Sequence, residues 1–74
     1  MKVIYVSVRR PEKARINDKV VLWRDAFVIS ESFDDAIRKA VAHFNDLDGV
    51  EDYYVSSVNI QASTEEDEGG VLLI

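Results

Sequence analysis

A chain of 74 residues with no cysteine makes one small domain with one core, without a disulfide to staple it or a thiolate to hold a metal. Apolar residues make up 47% of it, too many for a disordered chain, and no apolar run approaches the ~20 residues that a membrane span needs. The net charge of −5 opposes the long-range attraction that nucleic-acid binders use. A soluble, cytoplasmic domain without membrane association is expected.

Residues 2–8 are β-branched and aromatic and read as a strand, with Ile4, Val6 and Val8 on one face and Val3, Tyr5 and Ser7 on the other. Pro11 and the Asn17-Asp18 pair then break the pattern, so residues 9–19 form a hairpin loop. That loop carries Arg9, Arg10, Lys13, Arg15 and Lys19, five of the nine basic residues. Residues 20–29 form a second strand that is apolar on both faces. Val20, Leu22, Ala26 and Val28 alternate with Val21, Trp23, Phe27 and Ile29, and Arg24 and Asp25 are the interruptions.

Residues 32–49 carry the helical signature. Phe33, Ala36, Ile37, Ala40, Val41, Phe44 and Leu47 recur at steps of three and four and fall on one stripe. Ser32 and Asp35 have the spacing of a capping box, Asp34 and Asp35 suit the positive end of the helix dipole, and Gly49 suits a left-handed stop. Asp34 to Arg38 and Asp35 to Lys39 are acid-before-base pairs four apart. His43, near the helix end, is assigned to the C-terminal dipole. Residues 51–62 form a third strand, with Tyr54, Val58 and Ile60 on one side and Tyr53 and Val55 on the other. After an acidic, glycine-ended loop, residues 71–74 either fold back on the third strand as a fourth or form a mobile tail.

One amphipathic helix covers one face of a small sheet. The expected fold is therefore an α+β two-layer sandwich, one helix on a three- or four-stranded mainly antiparallel sheet in the order ββαβ(β), with the first strand central. Because the second strand is apolar on both sides, some of Trp23, Phe27, Tyr5 and Tyr53 is expected to stand exposed on the uncovered face, as a partner surface. The competing expectation is that loops or the chain end cover that face.

Catalytic and metal chemistry find little support. One histidine and no cysteine exclude a Cys–His pair, and no Gly-x-Ser-x-Gly elbow is present. Asp46-x-Asp48-Gly49 resembles part of a calcium loop, but Phe44 and Val55 would occupy the first and last ligand positions. The expectation is a protein that is not an enzyme and carries no cofactor or metal.

Binding is the remaining class, and charge is unevenly placed for it. Through Arg24, seven basic side chains stand against two acidic ones; from Asp25 onward, two stand against twelve. Asp34, Asp35, Asp46, Asp48, Glu51 and Asp52 lie on the helix exterior and its two ends, able to present spaced negative charge to a basic groove. Trp23 is a candidate buried anchor. Arg9, Arg10 and Arg15 on the loop add a basic contact or, in an alternative reading, serve a direct nucleic-acid-binding module. A homodimeric adaptor joined through the open sheet face is a further alternative.

The short acidic chain, the helix at 32–49 and the acidic groups at 34–52 and 65–68 together resemble the small phage-encoded inhibitors, including anti-CRISPR proteins and nucleic-acid mimics. The resemblance implies a non-enzymatic inhibitor whose partner is a nucleic-acid-handling complex, such as a CRISPR-Cas effector, acting in the host cytoplasm. The basic loop departs from a pure mimic and implies a mixed interface.

Overall fold

The computed structural model describes residues 1–11, 22–63 and 70–73. In chain order they form β1 (Lys2–Arg9), β2 (Trp23–Ser30), α1 (Phe33–Asp48), β3 (Tyr54–Ser63) and β4 (Gly70–Leu73). The sheet order is β3-β1-β2-β4 and every neighbouring pair is antiparallel. This is the expected sandwich, with β1 between β2 and β3. Since β2 and β3 both run against β1, they are parallel to each other, and α1 is the connection between them.

The helix begins and ends where side-chain chemistry directs it. Ser32 is the N-cap, extended in backbone, and its hydroxyl accepts from the Asp35 amide at 3.2 Å. The reciprocal half of the capping box is missing. Asp35 instead takes the Ser30 hydroxyl at 2.6 Å, Arg38 at 2.5 Å and Lys39 at 2.9 Å. Arg38 thus pairs with Asp35, three residues back, and the anticipated Asp34–Arg38 pair gives way to it. At the far end Gly49 adopts φ 66°. Its amide reaches the Asp46 carbonyl, and the Val50 amide reaches the Asn45 carbonyl at 3.0 Å. This is a Schellman closure, which a side-chain-bearing residue would strain.

Burial follows the periodicities. Ala36, Ala40 and Phe44 face the sheet, where Ile4, Val6 and Val8 of β1, Ala26 and Val28 of β2, and Tyr53 complete the core. The two alanines let the helix backbone come close, and Phe44 fills the space left at its C-terminal half.

Four expectations are corrected. Residues 51–53 precede β3, and Tyr53 packs into the helix layer, buried at 6.3 Å from the Phe44 ring, so it is not part of the open face. β4 pairs with β2 and not with β3, extending the sheet past its second strand. His43 does not serve the helix terminus. The last turn carries no basic residue, the His43 ring meets Phe44 edge-on at 5.2 Å, and Nε2 is buried without a partner among the described residues. Finally, β3 does not alternate strictly. Its pairing with β1 slips once at Ser56 and again at Gln61, so Val55, Val58 and Ile60 share the helix side and Tyr54 turns to the other. Residues 20 and 21, expected in the second strand, and the loop residues Lys13, Arg15 and Lys19 lie outside the described residues.

Phe44 is fully buried at the centre of a small core. Phe44→Ala should cost about 3–5 kcal/mol of a total stability of order 5–15 kcal/mol, read as a lowered urea midpoint with unchanged slope.

Candidate interaction surface

Antiparallel registry places directly opposed residues on the same side of the sheet, so the face away from the helix is read row by row. The outermost row is Trp23, Arg9 and Tyr54, the next Asp25, Ser7 and Ser57, and the third Phe27, Tyr5 and Asn59. Tyr5 and Phe27 meet edge-on at 6.0 Å and are half-buried. The first row is open: Trp23 is 59% exposed, Tyr54 50%, and Arg9 between them is exposed as well. A groove of about 360 Å³ runs between the first and third rows, lined by Tyr5, Ser7, Arg9, Trp23, Asp25, Ser56 and Ser57. Inside it burial, and next the adjacent Asp25 carboxylate, push the Tyr5 hydroxyl above its ordinary pKa, which keeps it protonated.

The row lies at the end of the molecule where α1 stops, and a set of ion pairs builds that end. Arg24 grips Asp48 through both carboxylate oxygens, Nη2 to Oδ1 at 2.7 Å and Nε to Oδ2 at 3.1 Å. The Tyr53 hydroxyl donates to Asp48 Oδ2 at 2.5 Å. Arg10, just past β1, holds Asp52 in the same two-pronged way at 2.6 and 3.2 Å. Only 7% of the Arg10 side chain is exposed, and its Nη1 is buried without an acceptor among the described residues. Asp48 sits at the negative end of the helix dipole, an unfavourable place for a carboxylate, and Arg24 supplies the cation that the helix itself lacks. The Tyr53 amide is bound by the Asn45 side chain at 3.1 Å, which fastens the helix end to the start of β3.

The residues anticipated for binding therefore divide. Asp35, Asp48, Asp52 and Arg10 are spent on contacts within the fold. Asp34, Asp46 and Glu51 are exposed, as is Glu31. Asp34 and Asp46 are separated by twelve residues, or roughly 18 Å, along the helix. Asp46 and Glu51 lie at the same end as Trp23 and Arg9, whereas Asp34 lies at the opposite end. Arg15 lies outside the described residues, as do residues 65–68. Tyr54 is the member of the row that strict alternation hides. The clue available in the sequence is the Ser56-Ser57 pair between two valines, where a strand has little to lose from an extra residue. Leu47, in the last turn of α1, is 53% exposed although it falls on the apolar stripe of the sequence.

Among the described residues no group of three or more histidine, aspartate or glutamate side chains is arranged to hold a metal ion. No helix among them is long and apolar enough to cross a membrane. No protein-family model, curated protein or solved structure matches the chain.

The ion pairs make stability depend on pH in a defined direction. Ser30, then Lys39 and Arg38, hold the Asp35 carboxyl down at about 2. Arg24 lowers Asp48, and Arg10 lowers Asp52. Carboxyls that bind protons less readily in the folded state stabilise it above the unfolded value of ~4, and that contribution is lost as pH falls through ~4 toward ~2. Tyr53, pushed up to about 12 by burial and by Asp48, works in the other direction: its contribution is complete below ~10 and lost as pH rises from there. Urea midpoints should form a plateau that falls on both limbs. Asp48→Asn should lower the plateau and flatten the acid limb.

Proposed function

We propose that the chain is a non-enzymatic protein-binding domain that docks its exposed Trp23–Arg9–Tyr54 row, with the adjoining helix end, onto a basic surface of a nucleic-acid-handling partner and so blocks that surface. The observation that carries this reading is the exposure of Trp23 and Tyr54 on either side of Arg9, on the face that the helix does not cover. Large aromatic side chains on a small domain are the usual anchors of an interface. Asp46 and Glu51, exposed at the same end, supply charge that steers a basic partner and fixes its orientation. Asp34 and Glu31 extend the negative surface to the other end of the helix. The carboxylates engaged by Arg10 and Arg24 contribute by holding the docking end rigid. Inhibition of this type matches the small phage-encoded inhibitors, including those of CRISPR-Cas effectors, that the chain resembles in size and composition.

A second reading has its own observation. Two aromatic rings flanking an arginine on an open sheet face also suit a single-stranded nucleic acid, whose bases stack on the rings while the guanidinium meets a phosphate. The two readings differ in sign at the acidic positions. Docking onto a basic protein surface is weakened by Asp46→Lys with Glu51→Lys, whereas nucleic-acid binding is strengthened by that change and abolished by Arg9→Glu.

The test uses immobilised wild-type chain and variants to capture partners from host extract, followed by titration of the captured partner and, separately, of a labelled single-stranded oligonucleotide. Trp23→Ala should leave the circular dichroism unchanged and weaken partner binding by about 2 kcal/mol or more, roughly 30-fold. The double lysine variant should slow association and reduce its salt dependence. Oligonucleotide binding that Arg9→Glu removes would replace this reading with the second one.

A further inference from the structure

The ten residues of β3, from Tyr54 to Ser63, contain no charged side chain and no proline, in a chain of which 31% is charged. β3 is also an outer strand. β1 pairs with it on one side, and no described strand pairs with the other. Outer strands are commonly defended against further pairing by charge, by proline or by brevity. β4, the opposite edge, is only four residues long. β3 is neither charged, proline-bearing nor short, and of the usual defences it has only β-bulges, two of them. Its two irregularities, at Ser56 and Gln61, bracket a regular run of residues 57–60 opposite Ser7 to Ile4.

We propose that Val58, Asn59 and Ile60 of this run pair antiparallel with the same three residues of a second copy, about a two-fold axis at Asn59, joining two four-stranded sheets into one of eight strands. A two-fold axis perpendicular to the sheet leaves both helices on the same side and brings together only residues of like face. Asn59 then meets the partner's Asn59 on the open face, and Val58 meets the partner's Ile60 on the helix side. The segment Val58-Asn59-Ile60 reads apolar, amide, apolar in either direction, which is what self-pairing requires. An amide side chain both donates and accepts, so it can bond to its own copy across an axis. Ile60 is 50% exposed, and a second β3 alongside would cover part of it. The absence of charge along the strand means that no like charges meet within the pairing, whereas a foreign strand would need no such self-complementarity.

The proposal is independent of the Trp23 row and has the opposite salt signature. Two copies at −5 each repel, so self-association tightens as salt is raised. Docking of an acidic domain on a basic partner loosens under the same change. Sedimentation velocity from ~10 μM to ~1 mM, the range suited to a small interface, should show a concentration-dependent shift to dimer that grows with salt. Asn59→Lys places two ammonium groups together at the axis and should raise the dimer dissociation constant at least ~10-fold. Asn59 is exposed, so this variant keeps the fold, and Ile60→Lys provides an independent check. Trp23→Ser should leave the dimer intact. Hydrogen exchange at residues 57–60 should slow with concentration in the wild type and not in Asn59→Lys. A chain that stays monomeric throughout, or a dimer that survives both lysine variants and is lost in Trp23→Ser, overturns the proposal.

Discussion

A single helix can shield only one side of a sheet, and nearly every other feature of this molecule follows from that limit. Ile4, Val6 and Val8 of the central strand and Ala26 and Val28 of β2 pack with Ala36, Ala40 and Phe44 of the helix, and with Tyr53 these residues make the core. In so short a chain this leaves β2, which is apolar on both sides, with Phe27 and Trp23 on the wrong side of the helix. Phe27 finds partial cover against Tyr5. Trp23, at the strand start, finds none and becomes the most prominent feature of the open face.

Charge does two different jobs. At the helix C-terminus it is structural: Asp48 would be repelled by the helix dipole and Asp52 would be a solvated loop residue, yet Arg24 of β2 clamps the first and Arg10, just past β1, clamps the second. These pairs tie the ends of β1, β2 and α1 and the entry to β3 into one rigid corner. Such a corner is a suitable base for an interface, because the side chains that project from it lose little further freedom on binding. Among the described residues, Glu31, Asp34, Asp46 and Glu51 are the exposed carboxylates.

β3 shows how one extra residue changes what a strand presents. Without the slip at Ser56, Tyr54 would lie on the helix side with Val58 and Ile60, and the open face would lose its second exposed ring. With it, Tyr54 joins Trp23 across Arg9, while Val55, Val58 and Ile60 gather on the helix side, Val58 packed against the core and Val55 and Ile60 exposed. The same strand thus contributes to an aromatic row on one face and presents two exposed apolar side chains along an uncharged edge on the other.

The sequence by itself determined the elements whose signals are local. Helix spacing, the Ser32 cap and the Gly49 stop all act within a few residues, and the strand character of β1 and β2 rests on β-branched and aromatic runs. From these the two-layer class also followed, because one helical stripe needs one sheet face to cover it, while the central position of β1 is an expectation that the strand order bears out. The tertiary structure alone decided which acids are free, which strand receives β4, and which side Tyr54 takes. Arg10 with Asp52 and Arg24 with Asp48 are 42 and 24 residues apart, and no local pattern announces a pairing at that range. Strand order and bulges are set by how a whole sheet fills the space under its helix, a property of the assembled layers that no single segment carries.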